Sequence, residues 1–197
     1  ANPDDLTKEY LQQIKSLPFN RISIGIQSFD NEALQGINRR HTGEQAVEAV
    51  ETAQQAGFDN ISIDLIYGLP GQTVDNWERQ IRKALQLGIQ HISAYGLTYE
   101  EGTQLWLQRE KGLLQSCPDE DMIAMYETLI NELSRKGFEA YEISNFARAG
   151  YRSRHNSSYW KQIPYLGLGP SAHSFDLSSR QWNVASTQQY IKALRQG

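Results

Sequence analysis

Two periodicities alternate along the chain. Four short runs are rich in β-branched and aromatic residues, as is typical of strands buried on both faces. They are residues 21–29, 60–68, 91–99 and 138–143. The segments before and between these runs repeat apolar residues at helical spacing, beginning with residues 6–16. The pattern therefore predicts a chain in which strands and helices alternate.

Capping residues and glycines mark where the predicted helices begin and end. Thr42 and Gln45 have the spacing of a capping box, and Gly57 ends the helix that follows them. Thr73 is the expected N-cap of a second helix. Pro118 opens a third helix. Each of these helices lies between two of the predicted strands.

Strand, helix and strand in regular succession are typical of right-handed βαβ units. We therefore predict an α/β fold with a parallel sheet, which is either open or rolled into part of a barrel. In both arrangements ligands bind where the carboxyl ends of the strands lead into loops. That rule selects residues 27–28, Asp64 with residues 67–71, and residues 98–102.

Three polar residues near these strand ends are candidates for ligand binding. Gln27 ends an apolar strand, and its amide either contacts a ligand or makes a hydrogen bond within the sheet. Asp64 lies inside a buried run, where a carboxylate is costly without a partner, so we favour a ligand contact. Arg39 and Arg40 precede a helix, where a guanidinium can bind a carboxylate through two hydrogen bonds.

Residues 151–175 are the part of the sequence that ordinary packing explains least. They contain His155 and His173, the aromatic pair Tyr159 and Trp160, and the run GLGPS, which is unsuited to a helix interior. This mixture suits a pocket for a flat, partly apolar ligand. The alternative is a tight turn and a short buried strand whose histidines are satisfied by hydrogen bonds.

Composition limits the classes of function. A net charge of −4, with both signs interspersed, gives no basic face for nucleic acid. No apolar run approaches the roughly 18 residues of a membrane span. Residues 1–10 lack the charged and then apolar layout of a signal peptide, so a cytoplasmic location is expected. The single cysteine, Cys117, excludes an internal disulfide and cannot hold a metal alone. No nucleophilic triad is found, so no catalytic residue and no metal ligand is predicted.

Five long motifs resemble a known family. They are GIQSF, DLIYGLPGQT, AYGLTYEEGT, YEISNFARAGYRSRHNSSYW and YLGLGPSAHSF. The chain is similar to the oxygen-independent coproporphyrinogen III oxidase-like branch of the radical S-adenosylmethionine (SAM) superfamily, and in particular to its haem-chaperone members. The resemblance implies a partial, TIM-like (β/α)6 barrel, whose later part would be residues 1–145. Residues 146–197 would form a small α+β extension carrying the RHNxxYW and GLGPSAHSF motifs.

The resemblance also implies roles for particular residues. Gln27 and Arg39 would bind the methionine carboxylate of SAM, with Asp64 beside the same ligand. The residues implied in haem handling are His155, Asn156, Tyr159 and Trp160. An imidazole is a common haem-iron ligand, although a histidine satisfied within the fold is the alternative reading. Whether His155 or His173 would contact the iron stays open.

The sequence departs from the family in what it lacks. The three-cysteine motif that holds the [4Fe–4S] cluster is not in the chain and is expected upstream of Ala1. We therefore expect the chain to be a fragment that, alone, neither assembles the cluster nor cleaves SAM. A third possibility, a purely structural fragment, would require Asp64 to be satisfied internally.

Two functions compete for the full-length protein. One is a SAM-dependent enzyme that decarboxylates coproporphyrinogen III, and the other is a haem chaperone that passes haem to client proteins and depends on an electron donor. Oxidases of the family carry a GYTTQ-like run where this chain has GYRSRHN, beginning at Gly150. This difference favours the chaperone.

Overall fold

The computed structural model describes residues 1–196, which form two compact units that divide after Arg152. The sequence prediction placed the end of the barrel portion a few residues earlier, at residue 145. The difference arises because residues 145–147 form a strand of the first unit's sheet.

The predicted strands and helices of the first unit follow one another in the expected order. Its elements are α1 (Lys8–Lys15), β1 (Ile22–Gln27), α2 (Asn31–Gly36), α3 (Gly43–Gln55), β2 (Ile61–Tyr67), α4 (Val74–Gln86), β3 (His91–Gly96), α5 (Gln104–Glu110), α6 (Asp119–Arg135), β4 (Glu139–Ala140) and β5 (Asn145–Ala147). The two short helices α2 and α5 were not predicted by the sequence analysis. The Thr42–Gln45 capping box is present in full, and Thr73 caps α4 by accepting from the amide of Asn76. Pro118 is the N-cap residue of α6. These helix starts are therefore confirmed.

The five strands form one sheet in the order β1-β2-β3-β5-β4. β1, β2 and β3 are parallel, as predicted. A fourth strand lies within the predicted residues 138–143 and runs in the same direction as β3, but only Glu139–Ala140 is strand, and β5 lies antiparallel between it and β3. The chain turns back at once: the amide of Tyr141 donates to the carbonyl of Asn145 (3.2 Å), and the Glu142 carboxylate accepts from the amide of Ser144 (3.1 Å).

Apolar side chains on one face of the sheet pack with apolar side chains of the helices in one core. Ile24, Ile63 and Ile92, one from each parallel strand, are fully buried. Trp77 of α4 is only 1% exposed, and its indole Nε1 donates to the carbonyl of Met125 in α6 (2.9 Å). Burial of these apolar side chains is the main favourable term holding the sheet and helices together.

The second unit is small and mixes helix with strand. It contains α7 (Arg154–Trp160), a two-stranded antiparallel sheet of β6 (His173–Phe175) and β7 (Arg180–Trp182), and α8 (Thr187–Gln196). The GLGPS run lies between α7 and β6. A Cβ at Gly167 would lie 2.1 Å from the carbonyl oxygen of His173, so this close approach requires glycine. Across residues 1–196, no helix is long and apolar enough to cross a membrane.

Candidate functional site

A row of polar side chains crosses the sheet of the first unit. Each comes from a strand position next to a buried apolar residue, because successive side chains point to opposite faces. The members are Ser23 of β1, Ser62 and Asp64 of β2, His91 and Ser93 of β3, and Asn145 of β5. The predicted strands are therefore apolar on one face and polar on the other.

Asp64 has partners within the protein. The Ser23 hydroxyl donates to its Oδ1 (3.0 Å). Burial raises the pKa of the Asp64 carboxyl, and hydrogen bonds from Ser23 and Ser93, with the charge of Arg21, oppose that rise. The carboxylate remains half-buried, which leaves part of it open to a ligand. Its contact with SAM stays a prediction.

Gln27 lies in an unusual backbone conformation at the end of β1. Its φ is 67°, and the pairing of β1 with β2 is interrupted by a bulge between Gly25 and Gln27. The side chain folds back over Gly25, because a Cβ there would lie 2.9 Å from Gln27 Nε2. Within residues 1–196, no hydrogen-bond partner of the Gln27 side-chain amide is found. Although the residue is only 9% exposed, its amide is not fully enclosed and is available to a ligand.

Two side chains missed by the sequence reasoning hold the chain around Gln27. His41 is buried, and its Nε2 lies 2.9 Å from the carbonyl oxygen of Ile26 in the bulge. The Gln80 side chain in α4 accepts from the amide of Phe29 (2.7 Å). A polar residue on the apolar face of α4 was the available signal for Gln80, since such a residue needs a buried partner.

Arg39 and Arg40 have different surroundings. Arg40 is exposed and pairs with Asp4 (2.6 Å) and Asp5 (3.3 Å). Arg39 donates from Nη1 to Oδ1 of Asn2 (3.3 Å), and within residues 1–196 it has no carboxylate partner. Of the two cations, Arg39 is thus the one available to a ligand's carboxylate.

Arg39 also lines a cavity of about 480 Å³. Residues 35–39 form one wall and α5 contributes another, with Ile66 and Leu97 among the apolar lining. Arg39 is the only charged side chain among the described lining residues. A cavity with one cation and several amide side chains suits a ligand that combines a carboxylate with an apolar part.

Contacts link the three residues predicted to bind SAM. Gly25 pairs with Asp64 across β1 and β2, and the Gln27 amide lies over Gly25. The amide of Gly25 donates to the carbonyl of Ala1 (2.9 Å), whose neighbour Asn2 holds Arg39. Gln27 and Asp64 therefore meet at Gly25, whereas Arg39 is linked to it only through Asn2 and Ala1 and lines a cavity that includes neither of the other two residues. Their common role in binding SAM stays a prediction.

His91 was not singled out from the sequence, and it is the most buried titratable group of the polar row. Its Nδ1 lies 2.7 Å from the Ser62 hydroxyl and its Nε2 lies 2.7 Å from the Tyr141 hydroxyl. Burial, with a smaller effect of Arg21, lowers the pKa of His91 to about 3. This imidazole is therefore neutral at physiological pH, and it sits at the first residue of β3, away from the strand's carboxyl end.

The haem-motif residues lie together on the seven-residue helix α7. Ser153 caps it by accepting from the amide of Asn156 (3.3 Å). One turn apart, the Tyr159 hydroxyl lies 3.0 Å from His155 Nε2, and the two rings meet edge to face at 4.9 Å. Trp160 is 60% exposed. The helix thus presents an imidazole and two large aromatic rings at the surface of the second unit.

His173 has a separate environment. It is the first residue of β6, and its ring lies 6.0 Å from that of Trp182 in β7. The ring of Tyr159 on α7 packs against a different aromatic residue, Tyr165, with the ring centroids 4.9 Å apart. In the described part of the chain, residues 1–196, no group of three or more His, Cys, Asp or Glu residues could hold a metal ion. The two histidines are therefore independent candidates for a single axial ligand.

Comparisons with known proteins agree on one family. Residues 1–84 match the radical SAM superfamily. The heme chaperone HemW of Bacillus subtilis (strain 168) is 41% identical over 191 residues, which are 97% of this chain and 50% of the relative. Radical S-adenosyl methionine domain-containing protein 1, mitochondrial, of Danio rerio is 40% identical over 173 residues, 88% of this chain and 39% of the relative.

A solved structure supports the fold. The coproporphyrinogen III oxidase HemN from Escherichia coli, a radical SAM enzyme, matches with a TM-score of 0.79 at 21% identity. The match covers 100% of this chain and 48% of that one. The predicted fold, a portion of a TIM-like radical SAM barrel, is therefore confirmed.

These matches show that the chain carries, over residues 1–84, a domain of the radical SAM superfamily. Within that superfamily it is a homologue of the proteins named heme chaperone HemW. The chain spans about half the length of the curated relatives it matches. The activity, substrates and partners of the whole protein accordingly remain proposals.

Proposed function

We propose that the full-length protein is a haem chaperone that also binds SAM and a [4Fe–4S] cluster. The observation that carries the proposal is the exposed His155–Tyr159–Trp160 surface of α7, supported by relatives that are named heme chaperone HemW. A neutral imidazole is a common ligand of haem iron, and flat aromatic rings pack well on a macrocycle. Asn156 lies on the same helix and completes the proposed haem-handling residues.

The first unit has groups that suit SAM. In this proposal the Gln27 amide and the Arg39 guanidinium bind the methionine carboxylate, and Asp64 accepts from a hydroxyl or ammonium group of the same ligand. The support is the absence of another carboxylate partner for Arg39 within residues 1–196 and the partly open carboxylate of Asp64. The cluster, when bound, would supply the electron for SAM cleavage, and its cysteine ligands would lie outside these residues.

An oxidase is the second candidate function. The HemN structure that matches the whole chain is that of a coproporphyrinogen III oxidase, and the motifs of this chain resemble the same oxidase-like branch. Its 21% identity supports the fold alone, whereas relatives at 36–41% identity carry the chaperone name. The balance therefore favours haem over coproporphyrinogen III.

Partners follow from the chaperone proposal. Haem-accepting client proteins would receive the cargo, and an electron donor would serve the cluster. The cytoplasmic location expected from the sequence stays a prediction, since the relative from Danio rerio is named a mitochondrial protein.

An anaerobic haem titration of the full-length, cluster-loaded protein tests the proposal. We expect saturable growth of a Soret band, with affinity lowered at least tenfold by His155→Ala, which removes the proposed iron ligand. The matched control is His173→Ala, whose ring packs on Trp182 and which should bind haem as the unmodified protein does.

Two results would overturn this assignment. Equal affinity in all three proteins would make His155 a structural residue of α7. Indifference to haem, together with turnover of coproporphyrinogen III in the same preparation, would place the protein among the oxidases.

A further inference from the structure

The chain makes a tight turn at Gln27, directly after the bulge in β1. The amide of Ser28 donates to the carbonyl of Ile26 (2.9 Å), and the φ of Gln27, which lies between them, is 67°. This bond together with a positive φ is typical of a classic γ-turn, which is rare and strained. A strained turn persists only where its surroundings hold it in place. The direction of the Gln27 side chain therefore depends on the contacts that support this turn.

His41 provides such a contact. Its Nε2 lies 2.9 Å from the Ile26 carbonyl oxygen, the same oxygen that accepts from Ser28. A carbonyl oxygen has no proton to give, so Nε2 carries the proton and donates. His41 is only 3% exposed, so water does not readily take its place. The imidazole therefore supports the turn from inside the protein.

The same histidine lies two residues after Arg39. Two residues span at most about 7 Å, so the two backbone positions are close together. Of the side chains at residues 37–42, all of which the structure describes, only that of His41 hydrogen-bonds to β1 or to the turn after it. The side chains of Arg39 and Arg40 contact residues 2–5 instead. His41 therefore connects the Gln27 turn directly to the loop that carries Arg39.

Other contacts hold the chain after the turn. Gln80 accepts from the amide of Phe29 (2.7 Å). A Cβ at Gly43 would lie 2.2 Å from the carbonyl oxygen of Phe29, so the start of α3 lies against the same stretch. The ion pairs of Arg40 are exposed, and exposed pairs restrain a loop only weakly. These contacts do not involve the Ile26 carbonyl.

We propose that His41 is a positioning residue that aligns Gln27 and Arg39 on a single carboxylate, that of the amino-acid part of SAM. The inference rests on the proposed binding of SAM by these two residues. An amide and a guanidinium share one carboxylate only when their donors converge on its oxygens. His41 sets this convergence because it fixes both the turn that directs Gln27 and the loop that carries Arg39. In this proposal His41 does not touch the ligand.

The proposal predicts which ligands a change at His41 affects. S-adenosylhomocysteine and 5′-methylthioadenosine are both thioethers of adenosine, and only the first has the amino-acid part. His41→Leu removes the donor and should weaken binding of SAM and of S-adenosylhomocysteine about 3- to 10-fold, the range of one lost hydrogen bond. It should weaken 5′-methylthioadenosine by no more than about twofold. His41→Gln, whose amide can still donate to the Ile26 carbonyl, should retain most of the affinity.

Anaerobic equilibrium dialysis of each ligand against the full-length, cluster-loaded protein measures these affinities. His91→Leu is the matched control, since it replaces another buried histidine, which begins β3 at the end of the sheet away from Gln27. It should lower stability, measured by urea unfolding, without changing the ratio of the two thioether affinities. If His41→Leu does not fold, His41→Asn, whose shorter amide does not reach the Ile26 carbonyl, is subject to the same prediction.

Double substitutions test the alignment itself. Gln27→Ala should reduce SAM affinity less in the His41→Leu protein than in the unmodified one, because a misdirected amide contributes less to binding. The same non-additivity is expected between Arg39→Ala and His41→Leu.

The outcomes separate this inference from its premise. Unchanged SAM affinity in both Gln27→Ala and Arg39→Ala would remove the premise that these residues bind the carboxylate. If both variants bind SAM weakly, as expected, the positioning role of His41 is disproved by any of three results. They are an equal loss of affinity for both thioethers in His41→Leu, no loss for either, or strictly additive effects in the double variants.

Discussion

The two units carry candidate binding residues in contrasting settings. In the first unit, Asp64 and Gln27 project from strands of a five-stranded sheet, and the Ser23 hydroxyl restrains Asp64. In the second, the candidate residues lie on one short helix, where His155 and Tyr159 are exposed and contact each other. Side chains on a sheet with supporting hydrogen bonds are held more precisely than those on a short surface helix. The first unit is thus suited to a ligand of fixed shape, and the second to a ligand that is taken up and released.

Two tryptophans test this contrast most strongly. Trp77→Ala should lower the free energy of unfolding by about 3–5 kcal/mol, because it empties a buried site and leaves the carbonyl of Met125 without its donor. Trp160→Ala should change it by no more than about 0.5 kcal/mol, because the ring is mostly exposed. Urea denaturation of the full-length protein measures both.

Trp182→Ala serves as a second exposed-tryptophan control, at 69% exposure in β7. Trp160→Ala should nevertheless weaken haem binding more than Trp182→Ala does. A Trp160→Ala protein as destabilised as Trp77→Ala would show that α7 is held by packing and would remove the contrast.

His91 makes the stability of the first unit depend on pH. Its pKa is about 3 in the fold against an ordinary 6.5, so the unfolded chain binds the proton more readily. The stabilisation is present above about pH 6.5 and is lost as pH falls towards 3, by roughly 2 kcal/mol at pH 5. Urea unfolding at pH 7 and pH 5 should show a smaller pH effect in His91→Gln than in the unmodified protein. Equal pH effects in the two proteins would contradict this account.

We expect the hydrogen bond between Tyr159 and His155 to lower haem affinity only slightly. Tyr159→Phe keeps the ring and removes the hydroxyl that occupies His155 Nε2, so haem affinity should rise about 2- to 10-fold, equivalent to one exposed hydrogen bond. Tyr165→Phe is the control, since its ring contacts Tyr159 without touching His155. The anaerobic haem titration measures both variants, and a loss of affinity in Tyr159→Phe would mean that the hydroxyl assists iron binding.

Local signals in the sequence were sufficient for most of the first unit. The three parallel strands and the caps at Thr42 and Thr73 were all predicted, because side-chain periodicity and capping are set by residues close together in the chain. The length of the fourth strand and its neighbour in the sheet were not predicted. Residues 138–143 have strand-like composition, but the turn after Ala140 depends on Asn145 pairing with Ser93, far away in sequence.

The candidate site was predictable only in part. Gln27, Arg39 and Asp64 could be chosen by strand-end position and resemblance, yet the bulge and the buried supports His41 and Gln80 depend on contacts between distant segments. The polar row was visible in the sequence as serines and a histidine at alternate positions of the predicted strands. The orientation of the Asn145 amide, which accepts from Ser93 and donates to Glu142, is not determined by spacing.

The left-handed conformation of Gln27 places fold stability and the proposed binding of SAM in opposition. A non-glycine residue at such a φ costs on the order of 1 kcal/mol or more, and glycine would adopt it freely. Selection for a more stable protein alone would therefore replace Gln27 with glycine and discard the amide. In a laboratory evolution experiment, libraries sorted for thermal resistance and libraries sorted for SAM binding should diverge at this position.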